Sequence, residues 1–270
     1  MKKALKIVVL AKQVPDTRNV GKDAMTPEGT VNRAALPAIF NPEDLNALEA
    51  ALRLKDRVAG STVHILTMGP QRAADIIRDA MFRGADGGYL LTGREFAGSD
   101  TLATSYALSC ALKMIAPDII FAGRQAIDGD TAQVGPQIAE KLHLPQVTYA
   151  ADIQKDGDTI TVKRMLEDGY MTIKVQTPCL LTCIKELNEP RYMSVGGVFE
   201  AYGKPLTTLG YEDLKDDPLI DATTIGLKGS PTNIFKSFTP PQKGAGMMLE
   251  GADKATCEKL AGILAAKHII

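Results

Sequence analysis

Residues 123–135 combine glycines with residue types that bind phosphate. The segment reads GRQAIDGDTAQVG, follows the short apolar run at residues 119–122 and leads into helical spacing at residues 134–142. A strand that passes through a glycine-containing turn into a helix brings free backbone N–H groups and a positive dipole end to one point. That arrangement binds phosphate. Gly123 and Gly129 therefore leave room for a ligand.

Polar side chains in this turn allow two interpretations. Thr131 and Gln133 can donate hydrogen bonds to phosphate oxygens. Asp130 or Thr131 can equally cap the following helix in a tight connection that binds nothing. Both interpretations remain open on the residues alone.

The usual residues for acid–base or nucleophilic chemistry stand elsewhere. His64, His143 and His268 fall in a predicted strand, at a helix end and in the last helix, so we expect structural or surface roles. The chain contains no G-x-S-x-G, P-loop or G-x-G-x-x-G motif. Any chemistry must therefore come from a bound cofactor, and we predict no catalytic residue.

Composition excludes several classes of protein. The chain has 270 residues with a net charge of −1, which gives no broad attraction for nucleic acid or anionic lipid. Aromatic residues make up 5% without tryptophan, and no apolar run approaches membrane-spanning length. Cys179 and Cys183 lack a second pair for zinc. We expect a cytoplasmic protein with reduced, buried cysteines, no metal, no nucleic acid partner and no membrane insertion.

The elements around the turn alternate between strand and helix. Asn41 before Pro42 predicts one helix start, with Asn41 as N-cap, and Ser99 or Asp100 predicts another. Such alternation with short links indicates an α/β fold with a doubly wound, mostly parallel, Rossmann-like sheet. Strands are predicted at residues 5–11, 63–67, 88–91 and 119–122, helices at residues 42–59, 71–82, 102–115 and 134–142, a loop at residues 12–17, and a hairpin or ordered loop at residues 18–40.

The second half of the chain has a different pattern. Alternating residues at 147–149, 159–162 and 170–175 predict an antiparallel hairpin region, and residues 180–184 predict a strand that returns to the main sheet. Residues 206–250 are rich in proline and glycine and precede a helix at residues 252–267. We predict a nucleotide-binding domain at residues 1–205 and an extended C-terminal arm with a helix, residues 206–270, that packs on a partner subunit.

Three of these segments are expected to face one crevice. Residues 10–12, 68–70 and 123–135 each follow a predicted parallel strand, and the helix that begins at Asn41-Pro42 packs nearby. Ligands of open α/β sheets bind outside the carboxyl ends of the strands. The sequence therefore predicts a nucleotide-sized crevice at that edge of the sheet.

In order and spacing, several segments of this chain resemble those of the beta subunit of electron-transferring flavoproteins. The resemblance covers nearly the whole chain and implies a heterodimer with an alpha subunit that carries FAD. It also implies an adenine nucleotide in the crevice. The segments that carry it are Asn41-Pro42 with residues 47–51, Gly69-Pro70, residues 84–86, 123–135, 187–192 and 240–246.

The turn distinguishes two branches of that family. Respiratory members hold AMP beside a turn like A-I-D-D-D, and electron-bifurcating members of anaerobes hold a second FAD. Here residues 126–130 read A-I-D-G-D, so one carboxylate fewer opposes a second phosphate. Residues 98–105 also resemble the bifurcating branch and add hydroxyl donors, although Ser99 and Asp100 can simply cap that helix. We predict FAD, with AMP as the alternative occupant.

The resemblance further implies the redox partners and the site residues. NADH would give a hydride to this FAD. One electron would go to ferredoxin or flavodoxin, and the other through the alpha-subunit FAD towards an acyl-CoA dehydrogenase. NADH oxidation is expected only within that complex, and a non-redox adenine-nucleotide-binding protein is the alternative class. The predicted cofactor-binding residues are Leu10, Ala11, Asn41, Pro42, Asp44, Met68, Gly69, Asp100, Thr101, Thr104, Arg124, Gln125, Ala126, Ile127, Asp128, Gly129, Asp130, Thr131, Gln133, Val134 and Gly135.

Residues 187–199 resemble the loop with which the family recognises its dehydrogenase. Respiratory members have leucine and proline where this chain has Val195 and Gly196. The departure implies a different docking surface for the dehydrogenase, or a simple solvated loop.

Overall fold

The strands of the protein alternate with helices as the apolar runs predict. The computed structural model describes residues 4–16, 37–221, 223–232, 244 and 246–270. The strands are β1 Lys6–Leu10, β2 Gln13–Pro15, β3 Ala38–Phe40, β4 Thr62–Met68, β5 Gly87–Leu91, β6 Ile119–Gly123, β7 Gln146–Asp156, β8 Thr159–Met165, β9 Tyr170–Gln176, β10 Cys179–Cys183 and β11 Leu206–Leu209. The helices are α1 Pro42–Arg57, α2 Ala74–Phe82, α3 Thr101–Ile115, α4 Val134–Lys141, α5 Val195–Ala201, α6 Tyr211–Leu214 and α7 Lys254–Ala266.

In the described part of the chain, nine strands form one sheet in the order β11-β5-β4-β1-β6-β10-β7-β8-β9. Neighbours from β11 to β7 are parallel, and β7, β8 and β9 pair antiparallel. The predicted mostly parallel α/β sheet with an antiparallel hairpin region is confirmed. Because β7 pairs parallel with β10 and antiparallel with β8, the hairpin region extends the main sheet.

Each face of the parallel part is covered by its own helices. Ile7 and Val9 of β1 lie in an apolar cluster with residues of α1 and α2, such as Leu52. Val8 and Leu10 lie in a second cluster with residues of α3 and α4, such as Leu112. Successive side chains of a strand point to opposite faces, so a continuous apolar run is what a sheet buried on both faces requires.

Two regions have a secondary structure that differs from the expectation drawn from sequence. Gln13–Pro15 is a strand paired antiparallel with Ala38–Phe40, where we expected a loop. Val195–Ala201 is a helix capped by Ser194, where we expected part of a recognition loop or a simple solvated loop. Gly197 packs on α2 so closely that a Cβ would lie 2.3 Å from the backbone oxygen of Phe82. Tertiary packing therefore outweighs the low helix propensity of glycine here.

The beginning of the expected C-terminal arm belongs to the main domain. Leu206–Leu209 is the edge strand of the sheet, and Leu209, Leu214, Ile220 and Ile225 are buried in the cluster beside α3. Four-residue strands carry too little pattern to be distinguished from loops by sequence. The expected hairpin at residues 18–40 lies mostly outside the described residues, as does most of the motif at residues 240–246.

Helix α7 contrasts with the rest of the fold because each of its residues is at least partly exposed. Cys257 lies on this helix and is exposed, whereas Cys110, Cys179 and Cys183 are buried, so the expectation of four buried cysteines is wrong at one position. Within the described ranges, no helix is long and apolar enough to span a membrane. The same ranges hold no cluster of side chains suited to a metal ion.

Candidate functional site

A cavity of about 830 Å³ opens at the carboxyl ends of β1, β4 and β6. The turn after β6 forms one side of it, and residues 92–104, which we call the crevice wall, form another. Of the predicted site residues, those that line the cavity are Leu10, Ala11, Asp44, Met68, Gly69, Asp100, Thr101, Thr104, Arg124, Gln125, Ala126, Gly129, Thr131, Gln133, Val134 and Gly135. Asn41, Pro42, Ile127, Asp128 and Asp130 stand outside that lining.

The side chain of Asn41 fixes the turn after β6 through two hydrogen bonds. Its side-chain nitrogen donates to the carbonyl of Gln125 at 2.9 Å, and its oxygen accepts from the N–H of Ile127 at 3.1 Å. Asn41 precedes α1 as predicted, but its side chain bonds this turn instead of capping the helix, which corrects the predicted capping role. The residue is 0% exposed, so both bonds are shielded from water.

Asp44 joins the ends of the two central strands. Its carboxylate accepts from the N–H of Lys12 at 2.8 Å and from the N–H of Gly123 at 3.0 Å. Burial raises the pKa of Asp44 to about 7, although these N–H groups act in the opposite direction. A Cβ at Gly123 would lie 2.4 Å from a carboxylate oxygen of Asp44, so the close approach of α1 requires glycine there.

Glu43 and Arg124 form an ion pair beside the cavity. Arg124 Nη2 lies 3.0 Å from Glu43 Oε1, and Glu43 Oε2 accepts from the N–H of Gln125 at 3.0 Å. Burial raises the pKa of Glu43, and the arginine and the N–H group offset part of that rise. Within the described part of the chain, the buried Nε of Arg124 has no hydrogen-bond partner. This N–H is shielded from water, whereas the guanidinium as a whole is about one third exposed.

The acidic residues of the turn bond to other protein groups. Lys12 Nζ donates to Asp128 Oδ1 at 2.8 Å, and Gln125 Nε2 donates to Asp130 Oδ1 at 2.8 Å. Helix α4 begins at Val134, with Gln133 in the N-cap position, so Asp130 and Thr131 do not cap it as we considered. Both carboxylates are thus held by the protein outside the cavity lining.

Gly129 differs from the other glycines of this region. It lines the cavity, its φ is not left-handed, and a Cβ there would meet none of the described residues within 4 Å. Neither backbone conformation nor packing of the protein therefore requires glycine at this position. Gly129 is exposed, and the space beside it is open.

The crevice wall carries the hydroxyl groups at the start of α3. Thr101 Oγ1 donates to Gln133 Oε1 at 2.7 Å, which links the wall to the turn, and Thr104 lines the cavity. Asp100 caps α3 by accepting from the N–H of Ala103 at 3.0 Å, as the sequence predicts. Ser99 and Ser105 donate to the carbonyls of Phe96 and Leu102, so these two hydroxyls are used within the protein.

Several lining residues escaped the sequence prediction. Arg72 and Arg94 are exposed residues shortly after β4 and β5, so the rule that placed the turn would also have placed them. No local signal marks Ala38, because the antiparallel pairing of β2 with β3 brings it to the cavity. Lys12, Pro70, Gly123 and Ala132 also line the cavity and lie in the three segments that we expected to face it. The further lining residues, outside the predicted cofactor-binding residues, are Gln13, Val14, Pro15, Leu66, Ala73, Thr92, Gly93, Phe96, Ala97, Gly98, Ser99, Leu108 and Ala122.

Fold and site together define an α/β protein with one large crevice beyond the carboxyl ends of its parallel strands. Residues 28–210 match the electron transfer flavoprotein domain, and the chain belongs to the electron transfer flavoprotein family. The predicted resemblance to the beta subunits of that family is confirmed by relatives that align over their full length.

Three such relatives come from anaerobic bacteria. The chain is 59% identical to acryloyl-CoA reductase electron transfer subunit gamma of Anaerotignum propionicum and 50% identical to caffeyl-CoA reductase-Etf complex subunit CarD of Acetobacterium woodii. It is 49% identical to electron transfer flavoprotein subunit beta of Thermoanaerobacterium thermosaccharolyticum. Each comparison covers 98% of this chain and 100% of the relative. The chain is thus a beta-type subunit that functions in electron transfer.

Proposed function

We propose that this chain binds FAD in the crevice and serves as the nucleotide-binding beta-type subunit of an electron-bifurcating heterodimer. The extent of the cavity carries the proposal. Its lining runs from the turn after β6, past the ends of β1 and β4, to the far part of the crevice wall at residues 92–97. AMP would fill only the part beside the turn, whereas the second phosphate, ribityl chain and flavin of FAD would use the remainder.

The residues of the crevice fit a diphosphate-containing nucleotide. Arg124 lines the cavity with a partly exposed guanidinium, and Val134 and Gly135 line it at the start of α4, where helix N–H groups favour anions. Gly129 leaves open space beside them. With Asp128 and Asp130 bonded to other protein groups outside the lining, few like charges oppose a second phosphate.

The chemistry supplied by a bound flavin would be acceptance of a hydride from NADH and division of its two electrons between ferredoxin or flavodoxin and, through the alpha-subunit FAD, an acyl-CoA dehydrogenase. The chain's own residues bind and orient. Asn41 holds the turn in place from outside the ligand's reach. Asp44 holds the strand ends in place at the margin of the cavity. Thr101 and Gln133 bridge the two sides of the crevice.

Two observations support the proposal that this chain functions together with other subunits. By their names, two relatives are subunits of an acryloyl-CoA reductase and of a caffeyl-CoA reductase-Etf complex, which supports a role beside an acyl-CoA dehydrogenase. Helix α7 exposes apolar side chains such as Leu260, and Met248 before it is 86% exposed. An alpha subunit that covers this helix would remove that apolar surface from water. We place the complex in the cytoplasm.

Nucleotide content tests the proposal. The heterodimer is purified, incubated with excess FAD, freed of unbound nucleotide and denatured, and the released nucleotides are identified by chromatography and mass. The proposal requires two FAD per heterodimer without stoichiometric AMP, because one crevice cannot hold both. One FAD and one AMP after the same treatment would contradict bifurcation and leave a conventional electron carrier with structural AMP.

A truncation tests the partner. Removal of the residues after Thr232 leaves β11 and its buried neighbours intact but deletes α7. Co-purification with the alpha subunit should be lost in this variant and kept in a variant that carries only Cys257→Ser. Full co-purification of the truncated chain would contradict the role of α7.

A further inference from the structure

Residues 225–232, which we call the tail segment, pack closely on the crevice wall. Ile225 is buried in the same apolar cluster as Phe96 of the wall. Gly226 has a φ of +62°, and a Cβ there would lie 2.2 Å from the backbone oxygen of Glu95. Backbone conformation and close approach both require glycine, so the tail segment fits the wall in one specific way.

Ser230 is the central polar contact between the two segments. Its hydroxyl accepts from the N–H of Asp100 at 2.8 Å and donates to the carbonyl of Gly226 at 2.7 Å. The residue is only 7% exposed, so water does not readily replace it. Ser230 therefore bonds the residue that caps α3 at the edge of the cavity.

Two further hydrogen bonds join the segments. Ser99 Oγ accepts from the N–H of Gly226 at 3.1 Å, and Asp100 Oδ2 accepts from the N–H of Thr232 at 3.2 Å. Partial burial acts in the opposite direction, but N–H groups of Ala103 and Thr232 lower the pKa of Asp100. The charged carboxylate thus bonds the helix and the tail segment at once.

We propose that Ser230 is a positioning residue that sets the nucleotide affinity of the crevice through the wall. Ser99, Asp100, Thr101 and Thr104 line the cavity, whereas Ser230 does not. An effect of Ser230 on binding must therefore pass through the wall. The inference rests on the nucleotide binding of the proposed function, but it holds for FAD and for AMP alike.

The first test compares two hydroxyl deletions in the full chain. Ser230→Ala removes the contact with the wall. Thr223→Ala removes a hydroxyl that bonds Asp221, close by in sequence, and serves as the matched control. Kd values for FAD and for AMP should rise roughly tenfold in Ser230→Ala, because the Asp100 N–H loses its buried acceptor, and should stay at the wild-type values in Thr223→Ala. Unchanged Kd values in Ser230→Ala would overturn the inference.

Hydrogen exchange provides an independent test that also works on the wild-type chain. Bound nucleotide should slow exchange of the Asp100, Gly226 and Thr232 amides more than that of amides in β8, because coupling between ligand and tail segment is reciprocal. Without nucleotide, Ser230→Ala should speed exchange of the Asp100 amide but not of β8. Exchange of the Asp100 amide at the wild-type rate in that variant would overturn the inference. Failure of the wild type to bind either nucleotide would instead contradict the proposed function.

Discussion

The two sides of the crevice are held by different chemistry. The turn after β6 is held by side chains at the start of α1, and Asn41 and Asp44 are both buried there. The crevice wall is held by the tail segment, through hydroxyl groups and through Asp100, which is partly exposed. Both sides use contacts between segments that are distant in sequence, but Asn41 and Asp44 behind the turn are buried, whereas Ser99 and Asp100 of the wall are partly exposed.

This difference separates stability from binding. A buried polar group that loses its partner destabilises the folded state, because the remaining group stays shielded from water. At the wall, Asp100 and Ser99 can regain water when the tail segment moves, so less folding energy depends on them. Substitutions behind the turn should therefore lower global stability, and substitutions at the wall should chiefly change ligand affinity.

The largest effect is expected for Asn41→Ala. The substitution leaves the carbonyl of Gln125 and the N–H of Ile127 without their partner. The free energy of unfolding, measured with denaturant, should fall by about 2–4 kcal/mol. Gln154→Ala, which removes an exposed bond to Asp152, is the control and should change it by less than about 0.5 kcal/mol. A loss below about 1 kcal/mol for Asn41→Ala would show that the turn does not depend on these two hydrogen bonds of Asn41.

Gly129→Asp should weaken FAD binding, and the protein should stay folded. The new side chain meets none of the described residues within 4 Å, so its effect falls on the ligand. A carboxylate near a diphosphate should reduce the binding free energy by roughly 1–3 kcal/mol, or raise Kd about tenfold to a hundredfold. It should weaken the binding of FAD more than the binding of AMP.

Two controls separate charge from other causes. Gly129→Ala adds bulk without charge. Gly169→Asp adds the same charge at another position where a Cβ meets no described residue within 4 Å. FAD content equal to wild type in Gly129→Asp would disprove a role for this glycine.

Asp44 should make stability depend on pH. Its pKa rises from 3.8 to about 7 on folding, so the folded state keeps a proton that the unfolded state releases. The resulting stability is complete below pH 3.8 and is lost as the pH rises through about 7. Relative to Asp44→Asn, the wild type should therefore lose roughly 2–3 kcal/mol between about pH 5 and pH 8. Measuring the difference between the two proteins removes the opposite contribution of His64, whose pKa is lowered by burial. A constant difference across that range would contradict the assignment.

The smallest effect is expected for Thr101→Val. It removes the bond to Gln133 that joins the two sides of the crevice, and this bond is exposed. Nucleotide Kd should rise by about twofold to threefold, while the melting temperature stays within about 1 °C of wild type. A tenfold rise would mean that the bridge, and not the tail segment, sets the position of the wall.

The sequence predicts well what depends on local pattern. The apolar runs identify the parallel strands, and Asp100 caps α3 as its position before the helix indicates. The rule that ligands lie beyond the carboxyl ends of parallel strands brings most of the predicted site residues to one cavity.

What the sequence misses depends on contacts between distant segments. Asn41 has every local mark of an N-cap, yet its partners lie 84 and 86 residues further along the chain. Helix α5 forms despite two glycines because Gly197 fits against α2. Ser230 looks like a loop serine until the fold places it against Asp100. The hydrophobic periodicity of the sequence carries no information about such contacts.

The position of β10 determines when the middle of the sheet can close during synthesis. β10 lies between β6 and β7, although β7, β8 and β9 all precede it in the chain. A nascent chain can form the hairpin region early, because its pairings are local, but β6 keeps one unpaired edge until residues 179–183 leave the ribosome. Apolar β6 is therefore open to pairing with other chains during that interval. Slower elongation before residue 179 would lengthen the exposure and favour aggregation.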